Sequence, residues 1–275
     1  MDTVEKLRGK YLEGWDFSMH WYYLGVVASL VSLCIIYFES FVEMEHRWST
    51  MEQYSHGYMI PVVALFLLWK VAPQLKRLDW LPSKLSVVLF AIAITGWAVG
   101  ELSSLFIIVH YSFLMALAAL LLSLVGWQGL LLSWIPLVFL VFMIPLPVFL
   151  INQLSGGLQI ISTELGVMVI RLADISVHAS GNVIDLGQYK LQVVEACSGL
   201  NYLFPLMSFG FLIAALYIGP IWHKVLIFIV TIPITIVMNS IRIGLIGVAV
   251  EYSGTEAAEG VLHTFEGWVV FMACL

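Results

Sequence analysis

Long runs of apolar residues, separated by short polar segments, extend along the whole chain. Seven runs are long enough to cross about 30 Å of hydrocarbon as a helix, which takes roughly 20 residues. They occupy approximately residues 20–39, 56–72, 84–100, 105–125, 129–150, 199–218 and 224–247. Their apolar residues are continuous rather than alternating, which excludes a membrane β-barrel. The pattern predicts an all-α polytopic membrane protein, with residues 1–275 forming a single integral membrane domain.

An eighth apolar run begins near Gly260 and is still apolar at Leu275. The thirteen residues from His263 to Leu275 are few for a full crossing. We therefore expect about eight transmembrane helices and a natural chain that continues beyond Leu275.

One long segment, roughly 151–196, does not read as a span. In its first half, apolar residues at helical spacing predict an amphipathic helix lying on the outer membrane surface. These residues are Leu154, Leu158, Ile161, Leu165, Met168 and Leu172. The second half predicts two short strands around a turn at Gly187, that is, a β-hairpin. The segment is thus expected to form a small outer cap.

Charged residues predict the orientation. With the amino terminus in the cytoplasm, eight of the twelve basic residues fall on the inner side and thirteen of the eighteen acidic residues on the outer side. The inner basic residues are Lys6, Arg8, Lys10, Lys70, Lys76, Arg77, Lys84 and Lys224. Since inner loops carry the excess of Lys and Arg, both counts support this orientation.

Composition excludes several other classes of protein. The 275 residues are 61% hydrophobic and 11% charged, with a mean hydropathy of +0.98. The net charge is −6 and no basic patch is visible, so we expect no nucleic-acid partner. Three scattered cysteines are too few for a disulfide framework, and no zinc-type spacing occurs. We expect no metal and no cofactor.

Three polar residues fall at one depth on the outer side of the predicted topology. Cys197 precedes span six, Arg242 lies near the outer end of span seven, and His263 lies in the first turn of span eight. A helix amino terminus and nearby positive charge favour a thiolate, and a histidine can pass a proton to a leaving amine. Each residue alone has a structural explanation: packing for the cysteine, an interfacial anchor for the arginine, a hydrogen-bonded histidine. Their convergence predicts a nucleophilic site.

The chain resembles the exosortases and archaeosortases, which are membrane-embedded cysteine transpeptidases. Four motifs carry the resemblance: "EACSGL" around Cys197, "NSIRI" around Arg242, "HTFEGW" from His263, and "YSHGYMIP" from Tyr54 to Pro61. Their order, spacing and membrane depth agree with the family, and the resemblance covers essentially the whole chain.

The resemblance implies that the substrates are secreted client proteins. Each client would end in a sorting signal of the PEP-CTERM type, made of a motif, an apolar helix and a basic end. The enzyme would cleave near the motif on the periplasmic face of the inner membrane, hold the client as a thioester on Cys197 and pass it to an unidentified acceptor. Arg242 would stabilise the oxyanion or substrate, and His263 would act as general acid and base. His56, Glu195 and Asn239 are candidate substrate-binding residues, and the role of His56 does not follow from the sequence.

Two other functions remain open at this point. A transporter or channel would place polar residues at the bilayer midplane in paired interrupted helices, which the sequence does not show. A membrane acyltransferase would share Cys197 but carry a fatty acyl group instead of a peptide.

Overall fold

The computed structural model describes residues 24–78, 83–194, 198–264 and 272, with the side chains of residues 255–264 outside the description. The helices in chain order are α1 (Leu24–Ile36), α2 (Phe38–Thr50), α3 (Met59–Leu75), α4 (Leu85–Ser103), α5 (Phe106–Leu132), α6 (Trp134–Phe139), α7 (Val148–Leu172), α8 (Leu200–Leu216) and α9 (Ile221–Thr264). Two 3₁₀ helices span Glu52–Tyr58 and Leu140–Met143. The strands are β1 (His178–Ser180), β2 (Val183–Asp185) and β3 (Lys190–Gln192).

The chain forms two compact units. The first comprises Met1–Met44 and Gln74–Leu132, and the second comprises Glu45–Pro73 and Ser133–Leu275. The prediction of a single integral membrane domain stays a prediction.

The first unit is built around the antiparallel pair α4 and α5. Ser104 ends α4 in the left-handed conformation (φ 55°), and the Leu105 N–H donates to the Gly100 carbonyl at 2.9 Å. A Cβ on Gly100 would overlap Val109, and one on Gly96 would lie 3.2 Å from Ser112 Cβ. Small residues therefore bring the two helices close together, as is typical of helix pairs in membranes.

A bend of 63° between α1 and α2 lies beside polar groups of α5. The Tyr37 hydroxyl at the bend is 3.0 Å from that of Ser112. One turn into α2, the Ser40 carbonyl lies 3.1 Å from Nε2 of the buried His110, and the Glu43 carboxylate lies 3.5 Å from the same nitrogen. Polar groups inside apolar surroundings are costly unless they find partners, so these contacts stabilise the bend.

In the second unit, Trp48 anchors the first 3₁₀ helix. Its indole N–H donates to the Met143 carbonyl at 2.9 Å, and its ring meets that of Tyr58 edge to face at 5.2 Å. Gly57 lies directly against the indole, so that any Cβ at this position would overlap it. Gly57 and Tyr58 of the "YSHGYMIP" segment thus pack closely around one tryptophan.

Helices α7 and α9 pack along each other through small residues. A Cβ on Gly166 of α7 would lie 2.8 Å from Ile243, and one on Gly244 of α9 would lie 2.5 Å from Val169. Ser162 and Thr163 of α7 are fully buried in the second unit. Close backbone approach through Gly, Ser and Thr favours van der Waals packing where lipid weakens the hydrophobic drive between helices.

The three strands form one antiparallel sheet in the order β1-β2-β3. Ile184 of β2 is fully buried and packs in a cluster with Ile170 and Ile243. At the turn between β2 and β3, Gly187 (φ 89°) donates its N–H to Asp185, and Lys190 lies 3.2 Å from the same carboxylate. These two contacts hold the pKa of Asp185 below its usual range, the Gly187 hydrogen bond contributing most. The sequence predicted two strands here, and the structure has three.

Four predicted spans correspond to helices that are long and apolar enough to cross a membrane. Among the described residues these are Glu52–Leu75, Leu85–Ser103, Phe106–Leu132 and Ile221–Gly254. Up to six spans result if α1 with α2, and α6 with α7, each count as one bent span. Helix α8 has only 17 residues. The predicted eighth span from Gly260 lies largely outside the described residues.

The predicted fifth span, 129–150, is wrong as one continuous helix. Helix α5 changes direction at Gly126 (φ 67°) and ends at Leu132, and α6 is followed by a 3₁₀ turn. Pro145 and Pro147 then interrupt the chain before α7 begins at Val148, and the two halves meet at 83°. A proline removes a backbone donor and cannot continue a helix, which a count of apolar residues does not register.

The amphipathic stripe predicted for α7 is only partly covered by protein. Leu154, Met168 and Leu172 are 43%, 57% and 85% exposed, whereas Leu158 and Leu165 are half-buried. The face with Gly166 packs on α9. This distribution fits an apolar face turned towards lipid. That α7 lies on the outer membrane surface stays a prediction.

The predicted orientation can be tested by labelling. In a protein without its own cysteines, cysteines introduced at Glu45 and Gln188 should react from outside the cell with an impermeant maleimide. A cysteine at Gln74 should react only after the membrane is permeabilised. All three positions are exposed, so reactivity reports the compartment. Protection of Gln188 in intact cells would place the sheet, and the chain leading to Cys197, on the inner side.

Replacing Gly57 by alanine tests the packing around Trp48. Because the hydrogen bond to Met143 and the contact with Tyr58 hold the indole in place, the added methyl should destabilise the protein by about 1–3 kcal/mol. Thermal unfolding in detergent should show a lower Tm. The control is Gly156→Ala on α7, where a Cβ would meet nothing within 4 Å and alanine favours the helix. Equal melting of the two variants would contradict this role of Gly57.

Candidate active site

The chain around Cys197 leads directly into α8. Cys197 and Glu195 lie outside the described residues, and the description resumes at Ser198. Ser198 is 1% exposed, and its hydroxyl oxygen accepts the Leu200 N–H at 3.3 Å. Gly199 caps the helix with φ 86° and ψ −4°, a left-handed conformation that favours glycine. The "CSGL" motif thus ends in a tight turn that starts α8 three residues after Cys197.

Asn239 of α9 lies against this turn. Its side chain is fully buried, and a Cβ on Gly199 would lie 3.3 Å from both its Cβ and its Cγ. Gly199 is therefore required twice, for its backbone conformation and for the close approach of Asn239. The contact places α9 beside the residues that follow Cys197.

One turn further along both helices, Arg242 meets Tyr202. Nη1 of Arg242 donates to the Tyr202 hydroxyl oxygen at 2.8 Å, and the guanidinium carbon lies 5.9 Å from the centroid of the ring. Both side chains are buried, at 8% and 6% exposure. An arginine inside apolar surroundings is costly and is usually functional, so this position favours a role in chemistry over a surface anchor.

The guanidinium retains an unused donor. Nε of Arg242 is buried and has no hydrogen-bond partner among the described residues. A buried donor without a partner costs about 1–3 kcal/mol, which a ligand oxygen would recover on binding. The arrangement is suited to an oxygen that gains negative charge, because a fixed cationic donor stabilises it more strongly than water does.

The first 3₁₀ helix packs on the start of α8. The Asn201 amide donates to the Glu52 carboxylate at 2.7 Å, and the ring of Tyr54 stacks on Phe204 at 5.2 Å. The Tyr54 hydroxyl also accepts the Leu146 N–H at 2.9 Å. The "YSHGYMIP" segment and the preceding Glu52 therefore contact the first turns of α8, close to the turn at Gly199.

A cleft of about 390 Å³ opens between this 3₁₀ helix and the start of α8. Its lining residues are mainly polar and include Ser198, the neighbour of Cys197 in the chain. They are Thr50, Met51, Glu52, Gln53, Ser198, Leu200 and Asn201. A peptide or an acceptor that approaches the turn through this cleft would meet Glu52 as its one charged group among the described lining residues.

The structure brings some of the predicted site residues together. Arg242 and Asn239 both contact the turn-and-helix segment that follows Cys197. His263 lies in α9 beyond a break at Gly254, and its side chain is outside the description. Both ring nitrogens of His56 are buried and make no hydrogen bond of ordinary geometry within the described part of the chain, although the backbone of Gln53 and Phe142 lies nearby. Its predicted part in substrate binding stays a prediction.

Several residues of the site were not predicted from the sequence. Tyr202 follows the cysteine motif by one helical turn, and an aromatic ring with a polar end in an apolar helix was the signal that could have identified it. The link between Glu52 and Asn201 joins residues 149 apart and leaves no pattern in the sequence. In the part of the chain that the structure describes, no three His, Cys, Asp or Glu side chains are grouped as metal ligands.

Comparison with known proteins identifies the family. The family model described as transmembrane exosortase matches residues 48–275. No curated protein and no solved structure matches the chain. The matched residues include the turn at Gly199, the Arg242–Tyr202 pair, the first 3₁₀ helix and every predicted site residue. The protein is thus a membrane protein that belongs to the transmembrane exosortase family.

Proposed function

We propose that the protein is a cysteine transpeptidase that cleaves the carboxy-terminal sorting signal of secreted proteins and transfers them to an acceptor through a thioester on Cys197. The reaction would take place at the periplasmic face of the inner membrane. Membership of the exosortase family supports the class of reaction. The observation that carries the assignment is the buried guanidinium of Arg242, held beside the cysteine motif with Nε unused.

In the first half of the reaction, the thiolate of Cys197 adds to the scissile carbonyl carbon and forms a C–S bond. The carbonyl oxygen takes the negative charge, and Nε–H of Arg242 donates to it. When the tetrahedral species collapses, the C–N bond breaks and the imidazolium of His263 gives its proton to the leaving amine. The client remains as a thioester, and the rest of the sorting signal departs with a free amino terminus.

In the second half, an acceptor nucleophile attacks the thioester and His263 takes its proton. The C–S bond breaks and the thiolate of Cys197 is restored. The polar cleft next to Ser198 supports this step, because an acceptor needs an open and hydrated route to the acyl group. Water in place of the acceptor would give hydrolysis by the same chemistry.

The covalent intermediate tests the proposal. Protein isolated with its native secreted clients and quenched in acid should carry a mass adduct on Cys197 that hydroxylamine removes. A peptide adduct supports the transpeptidase, whereas a fatty acyl adduct would identify an acyltransferase. The Cys197→Ala variant should carry no adduct, should leave sorting signals uncleaved and should still accumulate in the membrane.

Matched controls come from the two other cysteines. Cys34 is exposed, so Cys34→Ala removes a free thiol without disturbing packing. Both this variant and Cys274→Ala should cleave at the normal rate. Full cleavage of sorting signals by Cys197→Ala would move the chemistry to another residue and overturn the proposal.

The roles of Arg242 and His263 are separable by kinetics. Arg242→Lys keeps a cation but loses the planar fork, so it should lower kcat by about 10²–10³-fold, as removal of one oxyanion donor does. His263→Ala should lose at least as much and should also lose one limb of the pH–rate profile, since the thiol and imidazole titrate as a coupled pair. Near-normal turnover of Arg242→Lys would reduce the arginine to a structural anchor.

A further inference from the structure

We propose that Tyr202 is a positioning residue of the active site, whose hydroxyl fixes the plane of the Arg242 guanidinium so that Nε–H points to the oxygen that becomes charged. This inference rests on the proposed function, because it assigns Tyr202 a part in the same reaction. Neither the cysteine, arginine and histidine motifs nor the family match assigns a role to this residue.

The geometry of the guanidinium is the first argument. A guanidinium is rigid and planar, so a hydrogen bond at one nitrogen sets the directions of all its other N–H groups. The 2.8 Å bond uses Nη1, and the guanidinium carbon lies over the face of the same tyrosine ring, 5.9 Å from its centroid. Nε is a further donor of the same group, and it is buried without a hydrogen-bond partner among the described residues. Tyr202 therefore holds one end of the group while the other end stays available.

The register of α8 and α9 is the second argument. Gly199 and Tyr202 are three residues apart on α8, and their partners Asn239 and Arg242 are three residues apart on α9. Residues three apart lie on one face of a helix. The two contacts form successive steps of one interface, so the arginine is fixed relative to the same turn that carries Cys197 into α8.

The energetics provide the third argument. Burying the charge of Arg242 costs desolvation free energy that a pair of apolar side chains at the same positions would not cost. The pair is thus not explained by stability. A buried cation with a fixed orientation and an unused donor is explained if a reacting oxygen binds there.

A chemical probe of Cys197 tests the inference without a known client. In a protein that carries Cys34→Ala and Cys274→Ala, the alkylation of Cys197 is measured with iodoacetate and with the uncharged iodoacetamide. A change in the amount of thiolate alters both rates equally and cancels in their ratio. A correctly placed guanidinium should favour the anionic reagent, because its carboxylate accepts from Nε as the sulfur attacks. Tyr202→Phe keeps the ring and removes only the hydroxyl, and it should lower the ratio by about threefold.

Two variants make the result specific. Tyr217→Phe removes the hydroxyl that lies 3.2 Å from His223 at the other end of α8, and it should keep the wild-type ratio. Arg242→Gln, or Arg242→Met if the glutamine variant is unstable, should lower the ratio at least as far as Tyr202→Phe. Adding Tyr202→Phe to the Arg242 variant should change nothing more, since the tyrosine acts through the arginine.

The outcomes distinguish the two proposals. If Arg242→Gln leaves the ratio unchanged, Arg242 is not beside Cys197 and the proposed function loses its main support. If Arg242→Gln lowers the ratio while Tyr202→Phe does not, the arginine is confirmed in place and the inference about Tyr202 is overturned. A Tyr202→Phe protein with normal Tm and a lowered ratio supports positioning, because a purely structural role would change the Tm instead.

Discussion

The hydrogen bond from Arg242 to Tyr202 is the constraint on which the site depends. It is made between two buried side chains, where a charged donor strengthens it and a lost partner would be costly. Together with the contact of Asn239 on Gly199, it fixes α9 against the first turn of α8. The 3₁₀ helix then packs on the same turn through Tyr54. Three segments that are far apart in sequence thus meet at the turn that follows Cys197.

Lipid as a solvent explains the distribution of residues in α7. Some large apolar side chains of this helix, such as Met168 and Leu172, are exposed, while small residues such as Gly166 lie in the face that packs on α9 beside the buried Ile170. In water this arrangement would be unstable, because the apolar area would remain hydrated. In hydrocarbon, large apolar side chains can face the lipid without a cost in free energy. Close contact between helix backbones then stabilises the helix pair. An apolar stripe on a helix therefore indicates the buried face in a water-soluble protein, whereas in a membrane it can indicate the face exposed to lipid.

The sequence predicted the helices whose length is set by the thickness of the hydrocarbon layer. It did not predict the features that depend on local backbone geometry. The α4 helix was placed to within about three residues, because an uninterrupted apolar run must span the bilayer. The gap between the predicted spans 105–125 and 129–150 coincides with the change of direction at Gly126. The interruption between Met143 and Val148 was missed, since the residues on either side of it are as apolar as those of a continuous helix. In the site, the importance of Arg242 was visible as a charge in an apolar run. The hydrogen bond of Tyr202 was not, because its partner lies 40 positions away in the sequence.

The part of α9 between Arg242 and the break at Gly254 is a helical spacer of fixed length. Arg242 precedes the break and His263 follows it on the same helical element. Each residue of an α-helix advances the chain by about 1.5 Å and turns it by about 100°. One residue added between Arg242 and Gly254 would therefore swing the segment that carries His263 to another side of the helix. The stretch of α9 from Arg242 to Gly254 thus sets the direction in which the chain continues beyond the break.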